Sequence, residues 1–135
     1  MKFSKLALTL IGFVMFFSFT SCQKDTDNEE YVDAREKYIG TWKVSESLQK
    51  LNYTVDIIRD PDNSANVIIK NFADTKSDIE AIVTGSTLHI TGKPLGEDIV
   101  VNTAVGKYMS SVLLEFEYAL TISGEKKTYK ANYTK

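Results

Sequence analysis

From Tyr38 to the C-terminus, apolar and polar residues alternate with a period of two, and the three-to-four-residue spacing of an amphipathic helix is absent. A strand shows this alternation when one face meets a core and the other meets water. Eight segments carry it. Their core-facing sets are Trp42, Val44 and Leu48; Tyr53, Val55 and Ile57; Val67 and Ile69, or alternatively Ile68 and Phe72; Ile79, Ala81 and Val83; Leu88 and Ile90; Ile99, Val101, Thr103 and Val105; Val112, Leu114, Phe116, Tyr118, Leu120 and Ile122; and Tyr129, Ala131 and Tyr133. Turn formers separate the segments: residues 49–52, Asp60-Pro61-Asp62-Asn63, residues 73–77, Gly85-Ser86, residues 92–97, Gly106 onward and Ser123-Gly124-Glu125. None of these connections is long enough for a crossover helix, so consecutive strands are antiparallel neighbours in an up-and-down meander. Closing on itself removes the exposed edges of such a meander. The fold class expected is therefore all-β, a small eight-stranded antiparallel up-and-down barrel. A two-sheet β-sandwich is the alternative if the last strand does not pair with the first. A barrel of this size either fills with side chains or holds one small ligand.

The N-terminal region follows a different rule. Lys2 and Lys5 precede a 14-residue apolar run, Leu6 to Phe19, broken only by Thr9, Gly12 and Ser18. A membrane-spanning helix needs about 20 apolar residues, so the run suits a signal peptide better than a permanent anchor. It ends in Phe19-Thr20-Ser21-Cys22, and Cys22 is the sole cysteine of the chain. Small residues directly before a cysteine at this place resemble the lipobox of bacterial lipoprotein signal peptides, although Phe19 stands where Leu is usual. The resemblance implies removal of residues 1–21 and lipidation of Cys22, with acyl chains that contribute about 0.8 kcal/mol per buried methylene to membrane attachment. Gln23-Lys24-Asp25-Thr26-Asp27 resembles the export signal of Bacteroidetes lipoproteins, which implies the outer face of the outer membrane. The periplasmic face is the alternative. Residues 22–37 read as the lipidated cysteine and an acidic linker, with six acidic and three basic residues after Cys22. Asp27 and Glu30 suit a capping box, and Tyr31, Ala34 and Tyr38 would share one face of a short helix over 28–38 that covers an end of the fold. A solvated tether is the other reading of the same residues. The barrel domain spans residues 38–135.

Tyr38-Ile39-Gly40-Thr41-Trp42 opens the first strand. Gly-x-Trp at the start of an eight-stranded up-and-down barrel resembles the signature of the lipocalins and the wider calycin group. The whole chain is similar to the small lipocalin-like lipoproteins of Bacteroidetes. The resemblance implies that Gly40 turns the chain under the barrel, that Trp42 closes its base beneath a basic side chain, and that the barrel binds a small hydrophobic or amphipathic ligand. The chain departs from the family in being short, in having no long lid in its first hairpin and no clear C-terminal helix, and in lacking an Arg in the last strand. Lys127, Lys130 or Arg59 could supply the cation. A turn at 49–52 would set Arg59 opposite Trp42, whereas Arg59 could equally just begin the Asp60-Pro61 loop.

Composition narrows the function further. With 16 basic and 18 acidic residues and no basic run longer than Lys126-Lys127, the chain lacks the clustered cations of a nucleic-acid binder. One cysteine forms no internal disulfide, and one Cys with one His cannot complete a four-ligand structural zinc site. No cofactor is expected. His89, between Leu88 and Ile90, takes the solvent face, as do Glu115 and Glu117, and no glycine-rich phosphate loop is present. Binding is therefore expected rather than catalysis. Glu46 shares the inward parity of Trp42 and Val44, and a buried carboxylate is costly unless partnered. It would orient a ligand, bond a hydroxyl of Tyr53, Tyr118, Tyr129 or Tyr133, or be turned outward by a bulge. The ligand set expected is Trp42, Glu46, Tyr53, Phe116 and Tyr118. Ile58, Ile68 and Ile82 carry outward parity on consecutive strands, as do Val100 and Leu113 elsewhere. Contiguous exposed apolar side chains mark association surfaces, so a homodimer or protein-partner face at Ile58, Ile68 and Ile82 is the alternative. The protein would then be an interaction module or inhibitor.

Overall fold

The computed structural model describes residues 31–135. The expected signal peptide, the lipidation site at Cys22, the Gln23 to Asp27 run and the start of the expected 28–38 helix lie outside the described residues. Eight strands follow one another: β1 (Gly40–Glu46), β2 (Leu51–Arg59), β3 (Asn66–Lys70), β4 (Ile79–Thr84), β5 (Thr87–Pro94), β6 (Ile99–Ser110), β7 (Leu113–Ile122) and β8 (Glu125–Thr134). They form a closed antiparallel barrel in sequence order, with β8 returning to pair with β1 from Lys43↔Thr134 to Glu46↔Ala131. The sandwich alternative is thereby excluded. Within the described residues the expected helix is reduced to a single 3-10 turn, Glu36–Tyr38, and a second such turn, Phe72–Asp74, follows β3.

The core is made by the alternating positions. Val44, Val55, Ile57, Val67, Ile69, Ala81, Leu88, Ile90, Leu114 and Ala131 are buried, while Glu115, Glu117 and Lys130 on the outer face are exposed. Burying each of the larger aliphatic side chains contributes about 1.5–3 kcal/mol. Aromatic rings fill the centre of the barrel. Phe116 stacks on Tyr133 with centroids 4.3 Å apart, and Phe72 reaches in from the turn after β3 to meet Phe116 at 6.3 Å and Tyr118 at 5.1 Å. Of the two readings of β3, Val67 and Ile69 inward is the one observed; Ile68 faces outward, and Phe72 is buried from the turn beyond the strand.

Five expectations about strand positions are corrected. Leu48 is exposed, because the first turn occupies residues 47–50, two residues earlier than expected, and Trp42 consequently pairs with Val55. Arg59 is displaced from Trp42 by that shift and instead makes ion pairs with Glu36 and Asp33. Thr103 and Val105 do not face inward: a register shift between Val101 and Thr103 reverses the parity, so that Ala104 and Gly106 take the buried positions. Val112 lies in the β6–β7 turn, half exposed at 52%. Gly106 is not a turn residue at all. It sits in β6 opposite Phe116, where a Cβ would meet the ring at 2.6–2.7 Å, so glycine there makes room for an aromatic side chain.

One end of the barrel is closed as a floor. Trp42 is fully buried and its indole N–H donates to the Tyr38 carbonyl at 2.8 Å. Tyr38 packs edge-on against Tyr108 and donates its hydroxyl to the Gly85 carbonyl at 3.1 Å, which fastens the 3-10 turn across the opening. The cation over the Trp42 ring is Lys135, 4.3 Å from the centroid, and its ammonium also donates to the Ile39 carbonyl at 2.8 Å. Such a contact contributes about 0.5–2 kcal/mol. Gly40 has φ of 129°, a conformation open essentially to glycine alone. Arg35 secures the flank, chelating Asp33 and donating to the Asp60 and Asn66 carbonyls at 3.3 Å, which ties the β2–β3 loop to the segment before β1. Hydrogen bonds from Arg35 hold the Asp33 carboxyl well below the usual carboxylate range. Gly40→Ala is expected to destabilise the protein by about 1–3 kcal/mol through its backbone conformation, seen as a lower denaturant midpoint at unchanged slope. An unchanged midpoint would show that the floor does not depend on this residue.

Candidate ligand site at the barrel mouth

The opposite end is not sealed. Where β1 ends, β2 begins, β7 ends and β8 begins, a cleft of about 160 Å³ enters the barrel. Its polar lining comes from Glu46, Gln49, Tyr53, Thr75, Tyr118 and Tyr129, and its apolar lining from Leu51, Ala73, Ile99, Leu120 and Ile122. It is a place for a head group or a short chain, since the aromatic column beneath it fills the rest of the barrel.

Glu46 is the last residue of β1 and is 3% exposed. It points inward, as its parity requires, but it bonds no tyrosine. Its Oε1 accepts the Leu48 amide at 2.7 Å and its Oε2 the Gln49 amide at 2.9 Å. These bonds draw the chain round immediately after Glu46, which explains why the turn comes early. The carboxylate retains further acceptor capacity, having about four lone-pair sites in all.

The tyrosines of the mouth are constrained by burial. Tyr118 stacks nearly parallel to Tyr129, with centroids 5.3 Å apart and an interplanar angle of 17°. The hydroxyls of Tyr53 and, deeper in the barrel, Tyr133 are buried without a hydrogen-bond partner. Leaving a buried hydroxyl unpaired costs about 1–3 kcal/mol, so both are groups that a bound molecule or water would satisfy. Burial raises the Tyr53 hydroxyl well above the usual phenol range, and Tyr133, Asp74 and Glu46 push it the same way while the Tyr118 hydroxyl opposes them. Tyr118 is raised further, by burial first and then by Tyr53, Glu46 and Tyr129. Burial likewise raises Tyr133.

Of the five residues expected to bind ligand, the structure brings Glu46, Tyr53 and Tyr118 together at the mouth. Trp42 belongs to the floor at the other end, and Phe116 is packed beneath the cleft between Tyr133, Phe72 and the Gly106 backbone. Gln49, Thr75 and Tyr129 complete the mouth. The inward parity of Tyr129 was visible in the sequence, whereas Gln49 and Thr75 come from turns whose path alternation does not encode. The outer residues Ile58 and Ile82 are 36% and 52% exposed, and Ile68 is half-buried. Ile58 pairs directly with Ile68 across β2 and β3. A wider depression of about 750 Å³ lies on the outer face of β6–β8, lined by Lys107, Glu115, Glu117, Lys126 and Lys130 among others. Its three lysines and two glutamates largely offset one another and none of its hydroxyls is both buried and unpaired, so the smaller mouth cleft carries more chemistry. Among the described residues no group of three His, Cys, Asp or Glu side chains is placed to hold a metal ion. Comparison with protein-family models, with curated proteins and with solved structures finds no match for this chain.

The raised tyrosines carry a pH dependence of known sign. Tyr38, Tyr53, Tyr118 and Tyr133 hold their protons more tightly folded than unfolded, Tyr38 being pushed up to about 12 by burial and by Tyr108. Their contribution is complete below the unfolded value of about 10 and is lost as pH rises through the folded values. An absorbance titration is expected to show these four hydroxyls ionising late and together with unfolding, out of seven tyrosines in the chain. Reversible ionisation of all seven near pH 10 in a still-folded protein would contradict the burial described.

Proposed function

We propose that this chain is a lipid-anchored binding protein of the lipocalin-like kind, held to a bacterial outer membrane through Cys22 and displayed outward by its Gln-Lys-Asp run. The mouth of its barrel takes up a small hydrophobic or amphipathic molecule. The observation that carries this reading is the cleft itself: apolar walls from Leu51, Ile99, Leu120 and Ile122 surround the Tyr53 hydroxyl, whose one polar neighbour is the Tyr118 hydroxyl, and a buried carboxylate. Ligand sites combine mostly apolar lining with a few placed polar groups in this way. The cleft contains one carboxylate and no nucleophile beside a base, which favours binding over turnover. Gly40, Trp42 and Lys135 at the floor support the lipocalin-like reading, since each does what the Gly-x-Trp resemblance implies. A panel of short-chain amphiphiles is expected to raise the melting temperature and to yield bound species in native mass spectrometry. Absence of both effects at millimolar concentration would overturn the proposal.

A second reading rests on the outer face of β2–β4. The Ile58–Ile68 pair and the 52% exposed Ile82, which lies diagonally beyond Glu80 and Asn66, are apolar positions on one face that suit a homodimer or a protein partner. Ile82→Asp is then expected to abolish association in sedimentation without lowering the melting temperature. An unchanged sedimentation profile of a self-associating wild type would count against it.

A further inference from the structure

We propose that the ligand taken at the mouth is a small organic cation, an ammonium borne on an apolar group. This rests on the proposed role of the mouth as a binding site and names the chemistry it selects.

Glu46 has no cationic side chain in ion-pair contact among the described residues, and none of the residues that line the cleft is basic. Its two amide bonds hold it in place but bring no positive charge. Lys127, opposite the cleft-lining Leu120 at the rim, makes no ion pair with Glu46, so a cation entering the cleft meets a carboxylate that is hydrogen-bonded but has no ion-pair partner. Asp74, in the turn that forms one lip, adds to the negative field felt by Tyr53.

The walls are suited to the same ligand. Tyr53, Tyr118 and Tyr129 are three aromatic rings around one small space, and an ammonium over a ring face left free by the Tyr118–Tyr129 stack gains about 0.5–2 kcal/mol according to desolvation. The rings of Tyr118 and Tyr129 are fixed against each other by stacking, and Phe72 braces Tyr118 from beneath. The apolar side chains of Leu120 and Ile122 continue the wall beside them and receive the attached hydrocarbon. An anionic amphiphile would set its head group against Glu46 and is rejected. A neutral one gains the apolar contacts but leaves the carboxylate unpaired.

The test uses three probes of equal chain length: hexyltrimethylammonium, hexanol and hexanoate, titrated calorimetrically into the protein. The cation is expected to bind at least about tenfold more tightly than the alcohol, with hexanoate weakest. Glu46→Gln is expected to reduce the cation to the affinity of the alcohol while leaving the alcohol unchanged. Because the Gln side-chain nitrogen cannot accept a turn N–H, Tyr129→Leu serves as the second variant: it leaves the turn intact and narrows the gap between cation and alcohol. Equal binding of alcohol and cation, or tightest binding of hexanoate, would overturn the cation inference and leave the mouth standing as a ligand site. Binding by none of the three would overturn both.

Discussion

The backbone ladder between β1 and β8 is the constraint from which the rest follows. Four residue pairs, Lys43↔Thr134 to Glu46↔Ala131, leave no strand edge unpaired in an otherwise open meander. Closing eight strands sets an interior only about as wide as the side chains that fill it. Trp42, Phe72, Phe116, Tyr118 and Tyr133 occupy that interior, so space for anything else remains only where the strands end. The floor end is taken by Tyr38, Trp42 and Lys135. The mouth is what is left.

Glu46 links the ladder to the mouth. It is the terminal pair of β1 on both sides, opposite Leu51 in β2 and Ala131 in β8, so its inward side chain emerges where the barrel opens. Its carboxylate takes the two amides that close the first turn, and this sets the register in which Trp42 faces Val55. The same group that shapes the hairpin thus places a negative charge at the entrance. Structural and binding demands meet at one residue.

The barrel was legible because alternation is a direct image of a two-faced strand, and it held over Trp42–Val44, Val55–Ile57, Leu88–Ile90 and Tyr129–Tyr133. What alternation could not carry was where the count slips. The bulge near Asn102 reverses the parity of Thr103 and Val105, and the early turn after Glu46 moves Arg59 away from Trp42. Gly106 reads as a turn former in sequence but is a strand residue beneath an aromatic ring, a role that only the partner strand reveals. Of the site, the inward Glu46, Tyr53 and Tyr118 were readable from parity. Their gathering at one end, apart from Trp42 and Phe116, follows from register and from the turns that supply Gln49 and Thr75.

The central claim is that the interior is filled and that binding belongs to the mouth. Backbone amide NMR during titration with a short-chain amphiphile tests it most directly. The account predicts shifts concentrated at Glu46, Gln49, Thr75, Leu120 and Tyr129, with Tyr38, Trp42 and Lys135 at the floor unmoved. Shifts confined to the floor, or to Ile58, Ile68 and Ile82 on the outer face, would contradict it.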